Sequence, residues 1–214
     1  LRPISDISVV GDDYDGAIGN AGYDVVPEGT TNLYTLVNES VADDDATYIK
    51  TKGEQTSPSS WIFTFGLDTN NIPNNVQVTK VTMYLRGNPS AQASYGKLSI
   101  VVNGETYSHS STITTGNHVG MFNLNIASEY TTFEQQLTME GIDAINDYIT
   151  DNKRFPALHY AVHIRSLSSG TQGKYHQFWF TQCYIEIEYE EVTDIGIGCK
   201  VGGTWKLATA AYRK

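Results

Sequence analysis

In the segment Trp61-Ile62-Phe63-Thr64-Phe65-Gly66-Leu67, the bulky residues Trp61, Phe63, Phe65 and Leu67 occupy every second position. That period excludes a helix, because only an extended chain turns alternate side chains to one face. Four large apolar groups on one face must be buried. Lys80–Arg86 repeats the pattern: Val81, Met83 and Leu85 alternate with Lys80, Thr82, Tyr84 and Arg86, the inside/outside code of an antiparallel sheet with one wet face. Between Leu98 and Tyr107 lies Asn103-Gly104, a pair that tolerates the positive φ angles of a tight I′ turn and so predicts a hairpin. Further strands are expected near residues 33–37, 46–51, 119–126, 157–166 and 175–190. Gly, Asn, Ser and Pro clusters between them, such as 68–75 and 166–173, read as turns.

One stretch has helical spacing. Met139, Ile142, Ile145 and Ile149 recur at three and four, with Thr138 as N-cap and an exit at Thr150-Asp151-Asn152. Many strands with a single helix predict an all-β chain: a two-sheet antiparallel jelly-roll-like sandwich with a core about 10 Å thick, spanning residues 1–190. After Glu191 the composition changes. Residues 191–214 form a Gly-rich C-terminal extension containing Lys200-Val201-Gly202-Gly203-Thr204-Trp205-Lys206.

Charge restricts the partners. With 14 Lys and Arg against 24 Asp and Glu, the net charge is -10, and the basic face that grips phosphates is not expected, which removes nucleic acid. There is no run of about 18 apolar residues to span a bilayer, so no membrane is expected. The start Leu1-Arg2-Pro3-Ile4-Ser5-Asp6 lacks the basic-then-apolar pattern of a signal peptide. Residue 1 is Leu rather than Met, which leaves a removed leader open.

Chemistry-bearing constellations are sparse. The spacing of Cys183 and Cys199 matches no metal pattern, and both read as free thiols. Strand alternation groups Cys183 with Ile185, Ile187 and Tyr189 as a small core residue. His159 and His163 share a strand face with Ala161 and Arg165, opposite the core set Leu158, Tyr160, Val162 and Ile164, and read as exposed surface histidines rather than metal ligands. The loops with Asp12, Asp13, Asp15 and Gly16, and with Asp43, Asp44 and Asp45, are solvated acidic loops whose spacing does not suit an EF-hand. Neither a metal nor a cofactor is expected. Glu186 and Glu188 protrude from one strand without a pocket, and no nucleophile elbow, P-loop or dinucleotide fingerprint is present. No catalytic residue is therefore expected. Binding chemistry rests on Tyr84, Trp179 and Trp205, whose rings serve either packing or contact with sugars or partner proteins, while Trp61 belongs to the core.

Four features together resemble a family of tailed-bacteriophage virion proteins abundant in phages and prophages of gut bacteria. The opening Arg2-Pro3-Ile4-Ser5-Asp6-Ile7-Ser8-Val9 is similar to the family's Arg-Pro-x-Ser-Asp start. It is followed by Leu33-Tyr34-Thr35-Leu36-Val37-Asn38-Glu39 and Ala42-Asp43-Asp44-Asp45-Ala46-Thr47-Tyr48-Ile49. The closing strand Thr181-Gln182-Cys183-Tyr184-Ile185-Glu186-Ile187-Glu188-Tyr189 resembles theirs, with Cys183 where the family often has valine. The segment Lys200–Lys206 is similar to Lys-Val-x-Gly-x-Trp-Lys cassettes at the ends of phage head and tail proteins. A second cassette begins at Tyr212-Arg213-Lys214, which implies a longer parent protein. The family's usual Trp after the opening motif is missing, and residues 11–22 are instead long, acidic and Gly-rich.

The resemblance implies a non-enzymatic virion structural protein assembled in the bacterial host cytoplasm. It would be a capsid decoration or head-fibre subunit, with a tail or fibre component as the close variant. Implied partners are the major capsid protein or other virion proteins and further copies of the chain, with avidity over symmetric copies. The alternative is a carbohydrate-binding module that holds a surface glycan during host attachment.

Overall fold

A computed structural model describes residues 1–13, 23–41, 46–51, 59–89, 94–110, 120–124, 129–166, 178–192, 197–201 and 204–208. In chain order the strands are β1 (Pro3–Asp13), β2 (Tyr23–Val26), β3 (Tyr48–Thr51), β4 (Ser59–Leu67), β5 (Val76–Pro89), β6 (Ser94–Val102), β7 (Glu105–Ser108), β8 (Phe122–Asn123), β9 (Thr131–Gln136), β10 (Leu158–Ser166), β11 (Phe178–Glu191), β12 (Ile197–Val201) and β13 (Thr204–Ala208). One helix, α1 (Met139–Asn152), and a 3-10 turn at Leu33–Leu36 complete the described elements.

The chain passes repeatedly between two antiparallel sheets. Sheet A has the order β1-β4-β10-β6-β7 with β8 also paired to β6, and sheet B the order β2-β3-β11-β5-β9. This is the jelly-roll-like sandwich that the alternation predicts. Trp61, Phe63 and Phe65 of β4 and Tyr160, Val162 and Ile164 of β10 turn inward, against Val81, Met83 and Leu85 of β5 and Phe178, Phe180, Cys183 and Ile185 of β11. Phe63 and Phe180 meet edge to face at 5.1 Å. Each such buried side chain contributes about 1.5–3 kcal/mol. The Tyr160 hydroxyl donates to the Tyr84 carbonyl at 3.0 Å, so a buried polar group of sheet A is satisfied by sheet B.

Turns and ends follow local chemistry. Asn103 and Gly104 take φ of 50° and 87° between β6 and β7, the expected hairpin turn. Ile142, Ile145 and Ile149 of α1 are buried as the spacing predicts, whereas Met139, in the first turn, is exposed. Thr138 occupies the N-cap without a side-chain cap bond, and left-handed Lys153 ends the helix. The Asn146 amide donates to the Val78 carbonyl at 2.9 Å while its oxygen accepts from the Val78 N–H at 2.8 Å. One side chain thus stands in for a strand beside β5, beyond the end of β9.

Two expected strands differ. Residues 33–37 are a 3-10 turn followed by Val37, because Leu33, Leu36 and Val37 are buried at helical spacing and the Asp6 carboxylate accepts the N–H groups of Leu33 and Tyr34 at 2.7 Å each. That cap comes from a distant strand and outweighs the local β-propensity. In the expected strand at 119–126, only Phe122–Asn123 is extended in a ladder, and residues 125–128 lie outside the described set. The ladder of the sandwich runs through Glu191 and closes with Val192 N–H donating to the Asn75 carbonyl at 2.8 Å. β12 and β13 pair with each other as a sheet of their own.

Candidate functional site

Sheet B turns an aromatic and charged face outward. A register shift between Phe180 and Gln182 gives β11 one extra residue. Trp179, Gln182 and Tyr184 consequently share the outer face although their spacing is not uniformly two. Tyr184 stands opposite Tyr84 of β5, and their rings stack at 4.6 Å with 13° between planes. The Arg2 guanidinium lies 4.8 Å from the Tyr184 ring centre, and Arg2 Nη1 donates to the Glu39 carbonyl, which also accepts from Gln182 Nε2 at 2.6 Å. The order Arg2–Tyr184–Tyr84 closes three flat groups on one another, and each buries a π-face that a sugar ring would otherwise use.

The electrostatics of this face are satisfied internally. The Tyr84 hydroxyl donates to Glu186 Oε2 at 3.0 Å, and burial, that hydrogen bond and the charges of Glu186 and Glu134 push its pKa up to about 12. Burial and the same carboxylates raise Tyr184, against the opposing charge of Arg2. Lys80 pairs with Glu188 at 2.8 Å, and that hydrogen bond and charge raise the ammonium. Thr82, expected on the wet face, is nearly fully covered between Glu186 and Gln136 of the flanking strands. Trp179 is half-buried beside Lys50, whose ammonium is 5.3 Å from the ring centre. Of the three ring residues singled out in the sequence, Tyr84 and Trp179 therefore lie on one face. Trp205 is opposite Lys200 in the β12–β13 ladder, and its side chain lies outside the described residues.

The outer face of sheet A corrects the histidine reading. His159 and His163 do share a face, but neither is fully exposed: both are half-buried. His163 Nε2 and Ser60 Oγ are hydrogen-bonded at 2.5 Å. Burial, then the charges of Lys97 and Arg165, hold His163 down to about 4, so the ring is neutral at pH 7. His109, which no spacing marked, is buried; its Nδ1 donates to the Ser110 carbonyl at 2.6 Å and its ring meets Phe122 edge to face. Cys183 is fully buried, and burial pushes its thiol well above the ordinary range. The Cys199 side chain and the acidic clusters at 12–16 and 43–45 fall outside the described side chains. Among the described residues no cluster of His, Cys, Asp and Glu could hold a metal ion, and no helix is long and apolar enough to cross a membrane.

The rim of sheet A carries a feature that alternation alone does not reveal. Among the described residues β1 is the outermost strand of sheet A and pairs with β4, and the Leu33–Leu36 turn is held against it by Asp6. Register shifts between Pro3 and Ser5 and between Asp6 and Ser8 make Ile4 and Ile7 extra residues in the ladder. Ile4, Ile7 and Val10 are 50%, 49% and 48% exposed, and Ile62, directly opposite Val10, is 36% exposed. Small depressions elsewhere, of about 340 to 390 Å3, lie between α1 and β5 and beside β7, lined by groups such as Asp143, Asn146 and Glu190 or Ser108, Thr138 and Glu140.

No protein-family model matches the chain, and no curated protein matches it. Among solved structures it is similar to TmCBM61 in complex with beta-1,4-galactotriose, with 9% identity, TM-score 0.40, and 84% of this chain and 88% of that one covered. It is also similar to the enzymatically active domain of bacteriophage CBA120 tailspike protein 4, with 8% identity, TM-score 0.41, and 85% of this chain but 19% of that one. A family 11 carbohydrate-binding module of a cellulosomal cellulase from Clostridium thermocellum overlaps with 9% identity, TM-score 0.38, and 85% and 91% coverage. Overlaps of this size assign no activity.

Proposed function

We propose that the chain is a non-enzymatic structural subunit of a tailed-bacteriophage particle, a capsid decoration or head-fibre module, with a tail component as the close variant. The observation that carries this reading is a cluster of exposed apolar groups on one sheet rim. Ile4, Ile7, Val10 and Ile62 collect there, while the stacked tyrosines of sheet B are closed against each other and Arg2. A surface of that kind suits side-by-side association rather than enclosure of a small molecule. The likeness of the opening Arg2–Val9, the closing strand Thr181–Tyr189 and the Lys200–Lys206 cassette to phage virion proteins supports the same reading. Its partners would be the major capsid protein or another virion protein, met during assembly in the host cytoplasm. The test is co-sedimentation of the purified chain with separated heads and tails of a phage that encodes it. Saturable binding to heads is the expected result, and absence from both fractions overturns the reading.

The second reading is glycan binding, favoured by one observation: Trp179 is half-buried on the open face of sheet B with Lys50 over its ring, an arrangement that can stack on a sugar from a bacterial surface. Glycan-array binding lost in Trp179→Ala, with an unchanged melting temperature, would support it. Silence on every bacterial polysaccharide tested would remove it.

A further inference from the structure

We infer that His109 is an acid-operated latch: one proton on its Nε2 parts the joint at which sheet A meets sheet B, frees β7 and the first turn of α1, and leaves the rest of the sandwich folded. The device belongs to the fold and stands whichever reading of function holds.

The joint is a short backbone relay. The His109 N–H donates to the Leu98 carbonyl of β6 at 3.1 Å, and His109 forms an isolated antiparallel bridge with Leu137. Beside it the Thr138 N–H donates to the Ser108 carbonyl at 3.2 Å, and the Leu137 N–H donates to the Val81 carbonyl of β5 at 3.0 Å. Sheet A is thus carried into sheet B through one bridge, next to Thr138, the N-cap of α1. An isolated bridge lacks neighbouring rungs, so it opens more readily than the long ladders of β4 and β11.

The latch is the side chain at that bridge. The His109 ring is buried against Phe122, at the end of a row of core rings continued by Phe133 and Phe178. Its Nδ1 hydrogen goes to the Ser110 carbonyl, and its buried Nε2 has no hydrogen-bond partner among the described residues. The neutral ring leaves one lone pair unmet. An imidazolium there would bury a second N–H and a full charge with no acceptor for either. The surroundings do not offset that charge while the joint is closed. Lys97 of β6 has the same sign, Phe122 and Leu137 bring no charge, and Glu105 of β7 and Glu140 of α1 line a depression of about 390 Å3 at the joint without bonding Nε2. Parting the joint brings water to the ring and ends its burial.

Burial lowers the pKa of the closed ring, the Ser110 carbonyl opposes that shift and Lys97 adds to it. The open form takes up a proton near the ordinary 6.5 and the closed form only at lower pH, so opening grows as pH falls below 6.5, by up to about tenfold per unit.

The test is hydrogen exchange of the full chain, read by mass spectrometry between pH 7.5 and pH 5 and corrected for the intrinsic pH dependence of exchange. Peptides covering 105–110 and 137–142 should accelerate by up to about tenfold per unit below pH 6.5. They should also exchange faster than β4 and β11 and with little dependence on added urea, since a local opening exposes little surface. His109→Gln, which takes up no proton, should abolish the acceleration, whereas His163→Gln should leave it as in the wild type. If His109→Gln does not fold, nuclear magnetic resonance of the wild-type ring supplies the link: His109 should take up its proton over the pH range in which the joint opens. Exchange at the joint unchanged from pH 7.5 to pH 5 overturns the latch, as does exchange with the same rate and urea dependence as β4 and β11. Acceleration that persists in His109→Gln overturns it too, and so does a ring that is protonated while the joint stays protected.

Discussion

His163 illustrates how one residue type changes role with its surroundings. On a wet strand face it would titrate near its usual 6.5 and remain available as a base. Burial, its contact with Ser60 and the nearby Lys97 and Arg165 instead hold it to about 4. The unfolded chain takes up a proton below pH 6.5 and the folded chain does not, so stability falls as pH drops from 6.5 toward 4 and is unaffected above that window. The span corresponds to about 3 kcal/mol as an upper bound. Urea unfolding at pH 7, 5.5 and 4.5 should show the decline, and His163→Gln, which keeps a hydrogen-bonding group beside Ser60, should reduce it, leaving the part that comes from buried His109, whose pKa burial also lowers. At Gly87 the constraint is steric: a Cβ there would stand 2.4 Å from Phe178 Cζ and 2.5 Å from the Trp179 carbonyl oxygen. Neither a core ring nor the β11 backbone can yield cheaply, so Gly87→Ala should cost about 1–3 kcal/mol in chemical denaturation.

At the scale of elements, several edges of the sandwich are finished by side chains rather than by more strand. Asn146 pairs with Val78, so Asn146→Ala leaves the backbone groups of a half-covered strand without that partner. We expect a loss of about 1–3 kcal/mol with α1 still helical by circular dichroism. The 3-10 turn at Leu33–Leu36 is held by Asp6, and Asp6→Ala should destabilise by about 1–2 kcal/mol. Asp6→Asn retains one acceptor and should lose less. Both comparisons are read as urea midpoint shifts. A strand was the natural expectation for Leu33-Tyr34-Thr35-Leu36-Val37, since its residues favour extended chain. The available contrary signal was the burial spacing of Leu33, Leu36 and Val37, but the deciding cap comes from a strand far away in sequence.

For the whole molecule, the backbone ladder marks where the sandwich stops. Glu191 still pairs with Val76, and Val192 bonds Asn75, while among the described residues β12 and β13 form a separate two-stranded sheet. Removing residues 193–214 should leave the melting temperature within a degree or two, whereas removing 191–214 should lower it measurably by stripping the last rungs of β11. A large loss on the shorter deletion would show that the extension contributes to the fold. The candidate surfaces also belong to this scale: the sheet B face needs β5 and β11 in register, and the exposed rim of sheet A lies where β1 pairs with β4 at the end of the strand order.

Alternation along the chain was enough to determine the two-faced strands, the inward set from Trp61 to Leu67 and the core position of Cys183, as three-and-four spacing was for the helix over Ile142–Ile149 and Asn-Gly chemistry for the turn at Asn103-Gly104. Each of these is set by local geometry, since in a regular strand or helix the direction of a side chain follows from its position in the repeat. Tertiary structure decided the rest. The stacking of Tyr84 on Tyr184, the neutral His163, the capped turn at Leu33 and the exposed isoleucines of β1 all depend on which strand lies beside which and in what register. That is a property of contacts between distant residues, and no periodicity within one segment encodes it.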